Sequence, residues 1–306
     1  MRTAIAAALQ VAGVMLAPLA PGTIQTLKAR LQGRRGPSPL QPYRTLRRLW
    51  TKSAVAPENA GVIYRIAPPL TAACALVALA IVPVAGAAGN FGVGHDALAL
   101  AGILALGRFV VAASAWDTGN GFALMGAARE LAISVFGEAL LALTLLVAAL
   151  PGHSTDLRSM ALSAAGTQIW QQVGHWCGAA AFILVVLVET GRQPVDNPDT
   201  HLELTMIHEG PLLEYAGRDL ALLQWGAQAR HWIVLVLGAQ LFLPHPAGFA
   251  GALGALVLAI AAQCLGLAVI ETAQAKMRTL RVPALLGLGC LVALTGVGTF
   301  IAGGAT

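Results

Sequence analysis

Carboxylates are scarce in this chain and unevenly spread. Of 14 Asp and Glu in 306 residues, seven lie between Val188 and Asp219: Glu189, Asp196, Asp199, Glu203, Glu209, Glu214 and Asp219. Carboxylates so close titrate as a coupled set, with apparent pKa values that belong to the group. Such a set suits proton uptake and release, or charge complementarity towards a basic partner. Two further charges stand inside apolar sequence, Arg108 in "LALGRFVVAA" and Glu138 in "SVFGEALLAL". A charge at the centre of a bilayer costs about 2.5–3.5 kcal/mol on insertion scales, and it persists where it meets a partner or a water-filled path. Two accounts of Glu138 follow: a structural ion pair with Arg108, or a carboxylate that relays protons. Glu189 and Glu271 close two other apolar runs; relay and snorkelling to the interface account for them equally well.

Other constellations are weaker. "HLELTMIHE" holds His201, Glu203, His208 and Glu209. It is not the H-E-x-x-H of a zinc site, and its histidines are read as protonatable or hydrogen-bonded, with no metal expected. Cys74, Cys177, Cys264 and Cys290 all lie in apolar runs without a C-x-x-C pair, which speaks against an iron–sulfur cluster ligated by this chain.

The elements that must position these residues follow from composition. The chain is 57% hydrophobic and 11% charged, with a mean hydropathy of +0.72. A soluble domain carries roughly 25% charged residues, so the expected class is an all-α polytopic membrane protein forming one integral domain. The pI near 9.4 does not point to nucleic acid, because the basic residues sit between apolar runs and form no binding motif. A bilayer needs about 20 apolar residues per helix. Eight segments qualify, near 3–22, 66–88, 96–115, 127–150, 172–190, 230–245, 248–271 and 284–303. The first resembles a signal peptide, but the densely basic segment after it resists export, so a retained helix is expected.

Lys and Arg set the orientation. The first connection alone holds Lys28, Arg30, Arg34, Arg35, Arg44, Arg47, Arg48, Lys52 and Arg65, and the even-numbered connections hold only Arg158. The odd-numbered loops, including 23–65 and 190–229, are therefore expected in the cytoplasm. In the first of these, "YRTLRRLWTK" places Tyr43, Leu46, Leu49 and Trp50 on one helical face and Arg44, Arg47 and Arg48 off it. That pattern suits an interfacial amphipathic helix, and equally plain cationic anchoring. The second holds Pro194, Pro198 and Pro211, which break any continuous helix, and enough apolar side chains to fold as a packed loop.

Three stretches resemble one family: "ARLQGRRGPSPLQPYRTLRRLW", "RFVVAASAWDTGNGFALMGAARELAISVFGEALL" and "ETGRQPVDNPDTHLELTMIHEGPLLEYAGRD". They are similar to the eight-helix membrane subunit shared by respiratory complex I and the membrane-bound group 4 [NiFe] hydrogenases. The third stretch is the most specific. Complex I versions typically run P-F-D, an acidic E-S-E-L and V-E-Y-S-G, whereas the longer "HLELTMIHE" form looks like the hydrogenase branch. Val195 replaces a usual Phe.

The resemblance implies several roles. Glu138 matches the family's mid-membrane glutamate, Asp196, Glu203 and Glu214 its acidic loop, and Arg129 its G-A-x-R motif. Proton coupling would then run through Arg108, Arg129, Glu138, Glu189, Asp196, Asp199, Glu203, Glu209, Glu214 and Glu271, with Arg34, Arg35, Tyr43, His201 and His208 as candidates for docking peripheral subunits. The implied function is membrane anchor and proton-coupling subunit of a formate-hydrogenlyase-like complex in the inner (cytoplasmic) membrane. Its partners would be the hydrogenase large and small subunits and antiporter-like membrane subunits. The nickel–iron centre and the iron–sulfur clusters would sit in those partners, with no cofactor in this chain. The rivals are the quinone-chamber subunit of complex I and a standalone secondary transporter; the latter would call for internal repeats.

Overall fold

Hydropathy and prolines shape a bundle of eleven α-helices in a computed structural model that describes residues 2–85, 93–197, 206–244, 246 and 248–303. In chain order they are α1 (Arg2–Leu16), α2 (Leu19–Leu31), α3 (Gln41–Trp50), α4 (Val62–Ile81), α5 (Ala97–Thr118), α6 (Gly121–Ala149), α7 (Leu157–Ala164), α8 (Val173–Glu189), α9 (Gly217–Phe242), α10 (Phe249–Ala273) and α11 (Val282–Gly303). An isolated β-bridge joins Asp96 to Asp156. Among the described residues five helices are long and apolar enough to cross a membrane, and α1 with α2, bent by 52°, adds a sixth span if the pair counts as one. At 17 residues α8 is shorter, and α9 carries Arg218, Asp219 and Arg230.

The bend is the first departure from a straight span at 3–22, and Pro18 is its cause. Proline has no N–H to give the carbonyl four residues earlier, and in a bilayer that carbonyl needs another donor. The indole of Trp225 supplies it, donating to the Val14 carbonyl at 3.2 Å. Tyr43 of α3 donates its hydroxyl to the next carbonyl, that of Met15. The same logic explains Pro68 inside α4. It strands the Tyr64 carbonyl, and the Tyr215 hydroxyl donates to it at 2.9 Å. Tyr64 returns its own hydroxyl to the Glu214 carbonyl at 2.9 Å, with the two rings stacked 4.2 Å apart. The loop before α9 is thereby fastened to α4.

Tight turns set the pairing of α5 with α6. Gly119 takes φ +69°, open to glycine without strain. Asn120 then caps α6, accepting from the backbone N–H of Phe122 at 2.8 Å. Asp96 caps α5 in the same way through Leu98 and Ala99. The buried core runs through α4, α5, α6, α8 and α9, with α11 against α6 and α8 and α10 against α2 and α9. The helix expected after Pro42 is present as α3, with Arg44, Arg47 and Arg48 exposed and Tyr43, Leu46 and Leu49 half-buried, while Trp50 is exposed. Several boundaries move. Lys28 and Arg30 belong to α2 and Arg65 to α4 rather than to a loop. Helix α4 ends at Ile81 rather than near 88, and α6 begins at Gly121 rather than near 127. Helix α9 begins at Gly217, well before residue 230, so Arg230 lies within a helix.

Candidate functional site

Four helices bring one charge cluster together. Arg108, near the middle of α5, is 4% exposed. Its guanidinium lies 2.8 Å from Glu189 at the end of α8, 3.8 Å from Glu130 and 4.0 Å from Glu138, both on α6. Arg230 of α9 donates to Glu189 at 3.1 Å and to the Leu104 carbonyl. The nearest carboxylate to Arg108 is therefore Glu189, and the pair with Glu138 is the longest of the three. Glu189 does not snorkel, since its side chain is 1% exposed between two arginines. Helix rotation decides this pairing, because side chains meet only where helix faces turn towards each other.

Glu130 is a residue that the sequence reading does not single out. Its signal is spacing: Glu130, Ser134 and Glu138 recur every four residues and share one helical face. Oε2 of Glu130 is buried without a hydrogen-bond partner. A cavity of about 150 Å³ opens among Arg108, Glu130, Glu189, His208 and Arg230, roomy and polar enough for water. Glu138 differs from the others, with 38% of its side chain exposed on the outside of the bundle. Val135 and Phe136 beside it are exposed as well.

Glu271 belongs to a second cluster. It lies 2.9 Å from Arg192 and 3.3 Å from Lys28, and its side chain is fully buried. Snorkelling fails here too. This group ties the lower half of the bent first helix to α10 and to the turn after α8.

Asp196 anchors the acidic loop. It accepts from Lys276 at 2.7 Å, from the backbone N–H of Ile207 at 3.3 Å and of His208 at 3.2 Å, and faces the His208 ring at 3.3 Å. Burial alone would raise its pKa, but the hydrogen bonds and charges of His208 and Lys276 hold it well below the usual carboxylate range. Burial pulls His208 the other way, and its hydrogen bond to Asp196, with the charges of Glu130 and Asp196, raises its pKa above the ordinary value.

The remaining candidates scatter. The Glu214 side chain accepts from Asn120 at the α5–α6 turn. Arg129 donates to the Met206 carbonyl at 3.5 Å. Three residues earlier, a Cβ on Gly126 would stand 2.7 Å from the Gly210 Cα, so the glycine of "GAAR" is where the loop rests on α6. Glu209 lines a cavity of about 730 Å³ between the loop, α3 and α9. Arg34 and Arg35 are exposed and line a groove with Lys28. Tyr43 closes the helix bend. Asp199, His201 and Glu203 lie outside the described residues. Among the described residues no group of three His, Cys, Asp or Glu could hold a metal ion.

Known proteins are similar to this chain in sequence and in fold. Hydrogenase-4 component C of Escherichia coli is 36% identical over 237 residues, 76% of this chain and 72% of that one. Formate hydrogenlyase subunit 4 of Escherichia coli is 31% identical over 272 residues, 87% of each. A chain of the membrane-bound sulfane sulfur reductase, an archaeal respiratory membrane complex, superposes with a TM-score of 0.81 over 98% of both chains at 17% identity, which speaks to the fold. Residues 3–302 match the family described as NADH dehydrogenase, and with nearly its whole length inside that match this chain is a member of the family.

Proposed function

We propose that this chain is the membrane anchor and proton-coupling subunit of a complex I-related, energy-converting hydrogenase of the formate hydrogenlyase type. One observation carries the coupling role: Arg108, Arg230, Glu130 and Glu189 line a cavity in the middle of the bundle, and Glu138 reaches Arg108 at 4.0 Å from the outer side. Fully ionised, Arg108 and Arg230 face Glu130, Glu138 and Glu189, so the formal sum is 2 − 3 = −1. One proton neutralises the cluster, and buried charge is tolerated best when balanced. A set one proton from balance can load and release it as charge nearby changes. The relatives named as hydrogenase and formate hydrogenlyase components support the choice of complex, and family membership speaks against a standalone transporter.

The half-exposed Glu138 gives the proton an exit. A carboxylate facing lipid costs about 2.5–3.5 kcal/mol, so a neighbouring antiporter-like membrane subunit covers Val135, Phe136 and Glu138. Counting α1 with α2 as one span, and α4, α5, α6, α8, α9, α10 and α11 singly, the chain crosses an inner membrane eight times, with α3 along the cytoplasmic interface. The acidic loop then faces the peripheral subunits that hold the nickel–iron centre and the iron–sulfur clusters. Purifying the assembled complex through a tag on this chain tests the anchor role. Nickel and iron should accompany the complex and be absent from the chain isolated alone. Nickel-free complexes, or iron in the lone subunit, would overturn the assignment.

A further inference from the structure

His208 stands in the wall between two cavities. The inner one, about 150 Å³, holds the Arg108 cluster; the outer one, about 730 Å³, opens between the loop, α3 and α9. Thr190, His208, Leu212 and Ala227 line both, and of these only His208 titrates near neutral pH. Its ring is held in place. Nδ1 lies 3.3 Å from the Asp196 carboxylate, which Lys276 steadies at 2.7 Å. On the other side Gly191, at φ +60°, leaves room that a Cβ would fill, 2.9 Å from the ring. The outer cavity has buried polar atoms awaiting a partner, Oε1 of Gln228 and Nε2 of His231, which suits ordered water.

We infer that His208 admits protons to the buried charge cluster, passing them from water in the outer cavity to water or a carboxylate in the inner one. This rests on the proton-coupling reading above. The Asp196 carboxylate fixes the tautomer with the proton on Nδ1, leaving the Nε2 lone pair to accept. On uptake an N–H bond forms at Nε2 as an O–H bond of hydronium breaks. On release the N–H bond breaks and the proton passes inward, so the ring returns to neutral and no electrons move. The charges around the ring set its affinity. Asp196 and Lys276 face it from the loop and from beyond α10, and Glu209 is its chain neighbour. Glu189 and Arg192 lie at the end of α8, Glu130 on α6, Arg108 on α5, and Arg230 and His231 on α9. The hydrogen bond to Asp196 and the negative charge of Glu130 keep the proton affinity of the ring above its ordinary value.

The test uses the assembled complex in inverted membrane vesicles, with His208→Ala and His208→Gln, each with and without added imidazole. Proton uptake per complex should slow roughly a hundredfold in both, the scale of a lost general acid–base group. Imidazole should restore it in His208→Ala, where the space beside Gly191 is vacated, and not in His208→Gln. Unchanged translocation at normal abundance in either variant overturns the proposal. So does loss of assembly in both variants that imidazole leaves uncorrected, since His208 is then a structural residue. Glu138→Gln run alongside separates the two levels. If it uncouples while His208 variants do not, entry lies elsewhere and the coupling reading stands; if neither uncouples, both fall.

Discussion

At the scale of single residues, the pair of Asp196 and His208 has a pH dependence with a definite sign. The pKa of His208 is raised in the folded chain. Its contribution to stability is therefore fully present below the unfolded value, about 6.5, and is lost as pH rises through the folded value. Asp196→Asn removes the charge that holds His208 up. The thermal midpoint of the complex should then lie further below that of the parent at pH 6 than at pH 9. A gap that grows towards pH 9 would show that the pair stabilises by other means. Tyr215→Phe is a second residue-scale case. It leaves the Tyr64 carbonyl, stranded by Pro68, without its donor. The expected loss is about 1–3 kcal/mol for a buried unsatisfied group, read as a lower unfolding midpoint. An unchanged midpoint would mean that water reaches that carbonyl.

At the scale of elements, prolines and glycines explain what hydropathy alone does not. The apolar runs place every long helix, because a bilayer solvent leaves few alternatives. They say nothing of how each helix is rotated. That is why Glu138 reads as the partner of Arg108 in sequence, while in the bundle Glu189 comes closest. It is also why Lys28 reads as a loop charge and Glu130 draws no notice in sequence, although each ends in a buried ion pair. Pro18 does announce the break in the first span, and the spacing of Glu130, Ser134 and Glu138 does announce a polar face on α6. The early start of α9 has a subtler cause. Gly217 takes φ +57° and packs against the backbone at Ser53, where a Cβ would stand 2.5 Å from the carbonyl oxygen, a tertiary contact that no local pattern encodes.

At the scale of the whole molecule, orientation and coupling are the open tests. Lys52 is exposed beyond α3, and Arg158 is exposed near the start of α7 on the opposite side of the proposed topology. In a cysteine-free background, Lys52→Cys should resist an impermeant thiol reagent in intact cells while Arg158→Cys reacts. The reverse pattern would invert the topology and place the acidic loop outside. The central claim is that protons pass through the cluster of Arg108, Arg230, Glu130, Glu138 and Glu189. The most direct measurement is protons translocated per H₂ formed in inverted vesicles, normalised to assembled complex, for Glu138→Gln against the parent. The amide keeps size and hydrogen-bonding capacity but cannot titrate, so the account predicts normal assembly, continued H₂ formation and a translocation ratio near zero. A ratio equal to that of the parent, at normal abundance, would contradict it.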